Sequence, residues 1–313
     1  MSTPARARPI QGGCAPPFRP GATPESAISS VAELADAGVD HLVVGDHVTF
    51  FGGFGIDGLI HATALSMAHP TMAVHTSVYL LVLRHPVLVA RQIATLASVA
   101  PGRLVLGVGI GGEDPAEVRA CGVDPRTRGR RMDECMVILR TLMEGRPTSF
   151  AGRFFELTEV SIHPAPSEPI PIVVGGRSDA AIRRAGRLGE GWLGIWVSAE
   201  RFATATRQAE AISAAAGRGT VDWRHAMTVW CGFGDDEADG KSAVAPMMEG
   251  LYGLPFERFA RYVPCGTPEE VATQLAPYIQ AGCRTFNLLA QCRDPAALAP
   301  AVGTVRTLLR AHI

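Results

Sequence analysis

One group of glycines in this sequence has a spacing that could serve ligand chemistry. Gly107, Gly109 and Gly112 form the pattern G-x-G-x-x-G directly after an apolar run that begins at Leu104. A backbone without side chains lets a phosphate or a flat ring approach closely. The pattern therefore predicts either a dinucleotide fingerprint or a phosphate-binding loop of another α/β architecture. A tight turn without a ligand is the structural alternative.

A second glycine pair stands before a possible helix start. Gly175 and Gly176 end the apolar stretch "PIPIVVGG", and Arg177 and Ser178 follow. Ser178 is suited to cap a helix, whose first N–H groups and positive dipole end attract anions. Arg177 adds a guanidinium that can grip a phosphate. These residues predict a second phosphate-binding turn, with an ordinary strand-to-helix turn as the alternative.

A single histidine, His47, follows Asp46 at the end of a short apolar run. An imidazole titrates where a proton can be exchanged near neutral pH, as general acid–base chemistry requires. A histidine in this position is also typical of a structural hydrogen-bonding residue. From the residues alone both roles stay open.

The elements that must position these residues are strands alternating with helices, the pattern of a parallel sheet with helical crossovers. Eight β-prone runs lie near 8–12, 41–45, 73–80, 103–109, 170–175, 192–197, 225–233 and 284–290. Eight such units predict an α/β fold, a (β/α)8 TIM barrel, as a single domain over residues 1–313. A dinucleotide fold is disfavoured because three strand–helix units precede the glycine pattern and no strand ending in Asp or Glu follows it.

Helix boundaries and insertions follow from local signals. Thr23 with Pro24 predicts one helix start, and Thr267 with Glu270 has the spacing of a capping box. Residues 149–169 are β-prone and end in a proline-rich stretch, which predicts a hairpin inserted after strand four. Residues 233–262, near strand seven, begin acidic and predict a mobile excursion with one or more helices.

Composition excludes several classes of function. Hydrophobic residues make up 47% of the 313 residues, charged residues 19%, and the net charge is −1. We expect a small-molecule substrate and no nucleic-acid partner. Seven cysteines form no C-x-x-C pair, and the nine histidines form no H-x-H pair, so no metal site is expected. Without an apolar leader or a spanning run, we expect a cytoplasmic protein that does not bind membranes.

Several motifs, in order, resemble the bacterial luciferase-like flavin and deazaflavin oxidoreductase superfamily. They are "VVGDHV" (43–48), "HTSVYLLVLRHPVLVARQIATLASVAPGRLVLGVGIGG" (75–112), "RGRRMDE" (128–134), "FAGRFFEL" (150–157), "PIPIVVGG" (169–176) and "GEGWL" (189–193). Within it, the sequence most resembles the branch that uses coenzyme F-420 (F420), a 5-deazaflavin hydride carrier. Other relatives use FMN, which is the alternative cofactor.

The resemblance implies a barrel with an insertion after strand four and a flavin-type ring at its C-terminal mouth. It places His47 close to the reactive face of the ring and makes the Ser77–Val78 peptide a non-prolyl cis bond that backs the ring. Arg84 and His85 are implied mainly as structural support. The implied phosphate contacts are Gly109, Gly111 and Gly112 after strand four and Gly175, Gly176, Arg177 and Ser178 after strand five. Barrels of this family are commonly homodimers.

Some positions depart from the family's pattern or stay open. Sugar-phosphate oxidising relatives carry a glutamate where Gly112 stands, and a tryptophan where this chain has Phe50 and Phe51. We therefore expect a substrate other than a sugar phosphate, flatter and less charged. Arg128 and Arg131 have two alternative roles, bracing this region through Glu134 or reaching the cofactor tail.

Three functions follow from these observations. The first is an F-420-dependent oxidoreductase that passes a hydride between ring carbon five and a small organic substrate. The second is a two-component monooxygenase that takes reduced FMN from a separate reductase, for which residues 233–262 could close a dry pocket. The third is a non-catalytic barrel that holds a flavin-type ligand.

Overall fold

The computed structural model describes residues 8–16 and 23–312 and is built around a closed barrel of eight parallel strands. We number the barrel strands β1 (Gln11–Cys14), β2 (His41–Val44), β3 (Ala73–Thr76), β4 (Leu104–Val108), β5 (Ile172–Gly175), β6 (Gly191–Ile195), β7 (Ala226–Phe233) and β8 (Thr285–Cys292). Each strand pairs with the next in chain order, and β8 pairs with β1 to close the ring. The predicted (β/α)8 barrel is confirmed.

Helices surround the barrel and begin where the caps predict. They are α1 (Pro24–Asp36), α2 (Gly58–Ala68), α3 (Pro86–Val99), α4 (Pro115–Ala120), α5 (Arg128–Met143), α6 (Asp179–Leu188), α7 (Ala199–Ala215), α8 (Glu237–Tyr252), α9 (Pro268–Gln280) and α10 (Pro295–Arg310). The Thr23 side chain accepts a hydrogen bond from the Ser26 N–H, and Thr267 and Glu270 form the reciprocal capping box. Both predicted helix starts are confirmed.

The main core lies between the barrel and the helices. Strand β2 reads His-Leu-Val-Val, and all four residues are buried because the barrel interior covers one face and helices cover the other. Helix α3 turns Val89, Ile93 and Leu96 toward this core at helical spacing. The barrel strands therefore appear in the sequence as continuous apolar runs rather than as alternating apolar and polar residues.

Strand β3 ends at Thr76, earlier than the predicted residue 80. The Ser77–Val78 peptide that follows is cis, as the family resemblance implied. Tyr79 then returns to the barrel wall through a single parallel bridge to Val108 of β4. The strand exit is thus a bulge rather than further regular strand.

Both predicted insertions are present. Residues Thr148–Ala151 and Glu156–Val160 pair as an antiparallel hairpin after α5. The excursion after β7 consists of α8 and two short 3-10 turns at Phe256–Arg258 and Ala260–Tyr262. It packs in an apolar cluster that includes Trp196 of the barrel mouth. Its mobility stays a prediction.

Candidate active site

The predicted site residues all follow the carboxyl ends of neighbouring barrel strands. Parallel strands end on one face of a barrel, and loops at that face carry the functional groups of such folds. His47 follows β2, and the pair Ser77 and Val78 follows β3. The loop after β4 carries Gly109, Gly111 and Gly112. Strand β5 ends at Gly175, and the next residues are Gly176, Arg177 and Ser178. Barrel closure thus brings the residues after four neighbouring strands to one mouth.

His47 is held by a buried carboxylate. Its Nδ1 lies 3.1 Å from Oε2 of Glu117, which is 1% exposed. Oε1 of Glu117 accepts hydrogen bonds from the N–H groups of Val48 at 2.6 Å and Thr49 at 3.1 Å. An ionised carboxylate only accepts, so Nδ1 of His47 carries the hydrogen. Nε2, which has no hydrogen-bond partner among the described residues, is left for chemistry.

Glu117 was not found from the sequence. It lies in the first turn of α4, whose cap is Asp114. Acidic residues are favoured in that turn by the helix dipole, and they are normally solvated. The burial of Glu117 arises only because the loop after β2 folds over α4, where Asp114 also accepts a hydrogen bond from the Phe51 N–H at 2.9 Å. No local pattern signals this contact.

Asp46, beside His47, is a structural anchor. Its buried carboxylate accepts hydrogen bonds from the two terminal guanidinium nitrogens of Arg84, at 2.5 and 2.8 Å. It also accepts hydrogen bonds from the N–H groups of Leu80 and Gly58. Burial raises the pKa of Asp46, and the Arg84 charge opposes that rise. Arg84 also bonds to Asp57, the cap of α2. The predicted structural role of Arg84 is confirmed.

The bulge after β3 gives two of the predicted site glycines a packing role. A Cβ on Gly109 would lie 2.4 Å from Cγ2 of Val78, and a Cβ on Gly175 would lie 2.8 Å from Cγ1 of the same side chain. Hence both glycines make room for Val78, and their contact with a ligand tail stays a prediction. The Ser77 hydroxyl lies 2.6 Å from the Thr228 hydroxyl and ties the bulge to β7.

The remaining glycines of the first loop are less crowded than Gly109. Gly111 has a φ of +62°, and its carbonyl accepts a hydrogen bond from Arg128. No atom lies within 4 Å of a Cβ placed on Gly112. A backbone with free space beside it can admit a ligand closely, so the cofactor contact at Gly112 stays a prediction that this space allows.

The two undecided arginines brace backbone carbonyls. Arg128 holds the Gly111 carbonyl, and Nε of Arg131 donates to the Val82 carbonyl at 2.8 Å. The predicted route through Glu134 is not formed, because its carboxylate accepts from the N–H groups at positions 153 and 154 of the hairpin. Both arginines thus brace this region through backbone carbonyls rather than through Glu134, and their reach to a cofactor tail stays a prediction.

The second loop has the chemistry of an anion site. Ser178 caps α6 by accepting a hydrogen bond from the Ala181 N–H at 3.3 Å. Gly176 has a φ of +126°, and its carbonyl accepts from the Trp192 indole at 2.7 Å. Arg177 is exposed. A helix N-terminus and an exposed guanidinium fit a ligand with a phosphate-bearing tail.

A cavity of about 320 Å³ lies at the mouth beneath the excursion after β7. Its lining residues are Phe51, Glu113, Arg177, Trp196, Tyr252, Leu254, Arg258, Phe259, Arg261 and Tyr262. The indole of Trp230 donates to the Tyr252 hydroxyl at 3.1 Å, and burial raises the pKa of Tyr252. In the part of the chain that the structure describes, no cluster of three or more His, Cys, Asp or Glu side chains could hold a metal. The described helices include none long and apolar enough to cross a membrane.

The chain is similar in sequence to a known protein family. Residues 5–260 match the model of the luciferase-like monooxygenase family. An uncharacterized protein of Mycobacterium tuberculosis is 38% identical over 138 residues, which are 44% of this chain and 47% of that protein. The chain thus spans about half the length of that relative.

Two further matches extend over most of the chain. An F420-dependent glucose-6-phosphate dehydrogenase of Kineococcus radiotolerans is 27% identical over 301 residues, with 85% of this chain and 86% of the relative covered. Among solved structures, an F420-dependent secondary alcohol dehydrogenase in complex with an F420–acetone adduct superposes with a TM-score of 0.79 at 20% identity. That match covers 96% of this chain and 98% of the other, and it supports the barrel fold.

Proposed function

The chain belongs to the luciferase-like monooxygenase family, and from that premise we propose that it is an oxidoreductase that moves a hydride between coenzyme F-420 and a small organic substrate. F420-dependent relatives that match most of the chain support the cofactor. The observation that carries the proposal is the pairing of His47 Nδ1 with buried Glu117, which leaves Nε2 for proton exchange at the mouth.

The bound deazaflavin would supply two-electron chemistry, since it has carbon where a flavin has nitrogen five and so favours hydride transfer. The Gly111–Gly112 turn and the Arg177–Ser178 turn would hold its anionic tail. Reduction of a carbonyl needs one hydride at carbon and one proton at oxygen. The imidazolium form of His47 would donate that proton from Nε2, and in the oxidative direction Nε2 of the neutral ring would accept it.

The identity of the substrate is constrained by the departures around the mouth. Gly112 offers no acid at the first position after the glycine turn, and Phe50 and Phe51 follow His47 in place of a tryptophan. We therefore propose a substrate other than the sugar phosphate named for the dehydrogenase relatives.

A second candidate is a monooxygenase that uses reduced FMN from a separate reductase. The apolar cluster that α8 and the two 3-10 turns form over the mouth favours it, because a peroxyflavin needs a site closed to water. The cluster includes Trp196, Trp230 and Phe259. Such a cover serves hydride transfer equally well, so it does not outweigh the first proposal.

Parallel fluorescence titrations of the purified chain with F-420 and FMN, each oxidised and reduced, test the proposal. Binding of F-420 with little affinity for FMN is expected, followed by substrate-dependent change in the F-420 absorbance in a panel of alcohols, ketones and imines. His47→Ala should keep F-420 affinity and lose turnover. Preference for reduced FMN with substrate-coupled oxygen consumption would establish the monooxygenase instead.

A further inference from the structure

Three arginines of the mouth cavity have no countercharge. Arg177, Arg258 and Arg261 line the cavity, and none of them pairs with a carboxylate in the described part of the chain. By contrast, Arg201, which follows the same barrel face, pairs with Asp179 at 2.9 Å. Glu113 is the one acidic residue of the lining, and its carboxylate accepts from the Gly112 N–H at 3.2 Å. The cavity is therefore electropositive.

The same cavity has flat aromatic walls. The ring centroid of Trp196 lies 5.1 Å from that of Tyr252 and 4.8 Å from that of Phe259. Two of the arginines are placed against rings: the guanidinium carbon of Arg177 lies 5.5 Å from the Trp196 ring, and that of Arg261 lies 4.4 Å from the Tyr262 ring. Cation–π contact of this kind orders a guanidinium without neutralising it.

The cavity is connected to His47 through two phenylalanines. The Phe50 ring stacks on the His47 imidazole with a centroid separation of 3.9 Å. Phe51, which lines the cavity, lies 4.4 Å from Phe50. The same loop therefore carries the candidate catalytic histidine and one wall of the cavity.

From this combination we propose that the cavity binds the substrate at Arg258 and Arg261, with Arg177 left to the cofactor tail, and that the substrate is a flat, conjugated organic anion. The inference rests on the proposed function, whose substrate class it names. Guanidinium groups recognise carboxylates and phosphates by paired hydrogen bonds, and the aromatic walls match a planar body. The cavity volume suits a molecule of one or two rings. The flat shape of this substrate agrees with the expectation from the loop sequence. Its negative charge departs from the low charge expected there.

The anionic tail of F-420 offers the same charge, so the test must separate tail from substrate. Isothermal titration calorimetry of the full chain with 2-naphthoate and with the neutral 2-naphthamide, at low and high ionic strength, measures the preference for a flat anion. At low ionic strength we expect 2-naphthoate to bind at least about tenfold more tightly than 2-naphthamide. High ionic strength should reduce this difference in affinity.

Variants of the cavity arginines test whether these residues cause the preference for 2-naphthoate over 2-naphthamide. Arg258→Gln combined with Arg261→Gln should weaken 2-naphthoate at least about tenfold and leave 2-naphthamide and F-420 affinities unchanged. Arg91→Gln combined with Arg207→Gln removes the same charge from exposed positions on α3 and α7 and should leave all three affinities unchanged. Inorganic phosphate, an anion without a ring, should bind more weakly than 2-naphthoate.

Two results would overturn the proposal. One is equal binding, or no binding, of 2-naphthoate and 2-naphthamide. The other is a loss of F-420 affinity in the Arg258 and Arg261 variant with unchanged 2-naphthoate binding, which would assign these arginines to the cofactor tail. Absence of F-420 binding to the unmodified chain would instead refute the proposed function, and the 2-naphthoate comparison would still stand by itself.

Discussion

Glu117 lies 3.1 Å from Nδ1 of His47 and, through its other oxygen, holds the backbone N–H groups of Val48 and Thr49. One buried carboxylate therefore fixes both the ring and the loop that carries it. His47 is separated from Glu117 by 70 residues in the sequence. The orientation of the candidate catalytic histidine thus depends on the loop after a different barrel strand.

Glu117→Gln should impair turnover through His47. A glutamine keeps the shape but offers one accepting oxygen, so it cannot satisfy both the imidazole and the two backbone donors. We expect kcat to fall about 10- to 100-fold, which does not exceed the 10²–10⁴-fold that general acid–base catalysis supplies, with a shifted pH profile and unchanged F-420 affinity. Glu25→Gln, in the first turn of α1, is the matched control. Equal pH profiles of Glu117→Gln and the unmodified chain would contradict a positioning role.

Gly109→Ala should destabilise the fold. The new methyl would lie 2.4 Å from Val78 Cγ2, and overpacking of this kind costs about 1–3 kcal/mol of the free energy of unfolding. Urea unfolding measures the loss, and the double variant Gly109→Ala with Val78→Ala should recover most of it. Failure of that rescue would mean that Val78 is not the reason for the glycine.

Gly112→Ala is expected to behave in the opposite way. Because no atom lies within 4 Å of a Cβ placed there, the free energy of unfolding should stay near that of the unmodified chain. F-420 affinity should fall if the backbone at this glycine approaches the cofactor. Fluorescence titration checks this, and unchanged affinity would remove Gly112 from the cofactor site.

Arg84→Met should be among the more destabilising arginine substitutions. It leaves the Asp46 carboxylate buried without its cation, which typically costs about 3–5 kcal/mol. Arg146→Met breaks the exposed pair with Glu144 and should cost no more than about 1 kcal/mol. Chemical unfolding of both variants compares them, and similar losses would show that Asp46 is not an energetic anchor.

Stability should fall in mild acid because of histidines inside the barrel. Burial lowers the pKa of His41 to about 4, and burial also lowers the pKa of His75, which stacks on it at 3.7 Å. The unfolded chain takes up protons below about pH 6.5 whereas the folded barrel does not, so stability present above that pH is lost as the pH falls toward 4. His41 alone accounts for about 3 kcal/mol.

The slope of the unfolding free energy against pH measures this effect. His41→Gln should give a shallower slope between neutral pH and about pH 4, although its stability at neutral pH also falls because the 2.8 Å bond to Asn287 is lost. His312→Gln, at an exposed position, should keep the slope of the unmodified chain. Parallel slopes in all three proteins would contradict the assignment to His41.

We propose that the chain forms a homodimer through α2 and α3. Ile60, Met67 and Leu88 on these helices are 69%, 68% and 65% exposed, and burial of these side chains against a second copy would remove apolar area from water. Ile60→Arg combined with Met67→Arg should shift the mass measured by light scattering toward the monomer. Ile28→Arg, on α1, is the matched control and should not. A monomeric unmodified chain would refute the proposal.

Local chemistry in the sequence was sufficient for the architecture. The apolar runs, the Thr23 and Thr267 caps and the Ser178 cap each depend on neighbours within a few residues, so their patterns predict the strands and helix starts. The order of eight units then implies the closed barrel and the mouth at which the motifs meet. The cis bond at Ser77–Val78 came from the family resemblance, because periodicity carries no sign of it.

Tertiary structure alone decided which residues work together at that mouth. Glu117 reaches His47, Val78 fills the space beside Gly109 and Gly175, and Arg128 holds the Gly111 carbonyl. Arginines from two distant loops converge on one aromatic cavity. Each of these contacts joins residues that are separate in the chain, and their distances are set by barrel closure and side-chain packing rather than by any spacing that a sequence displays.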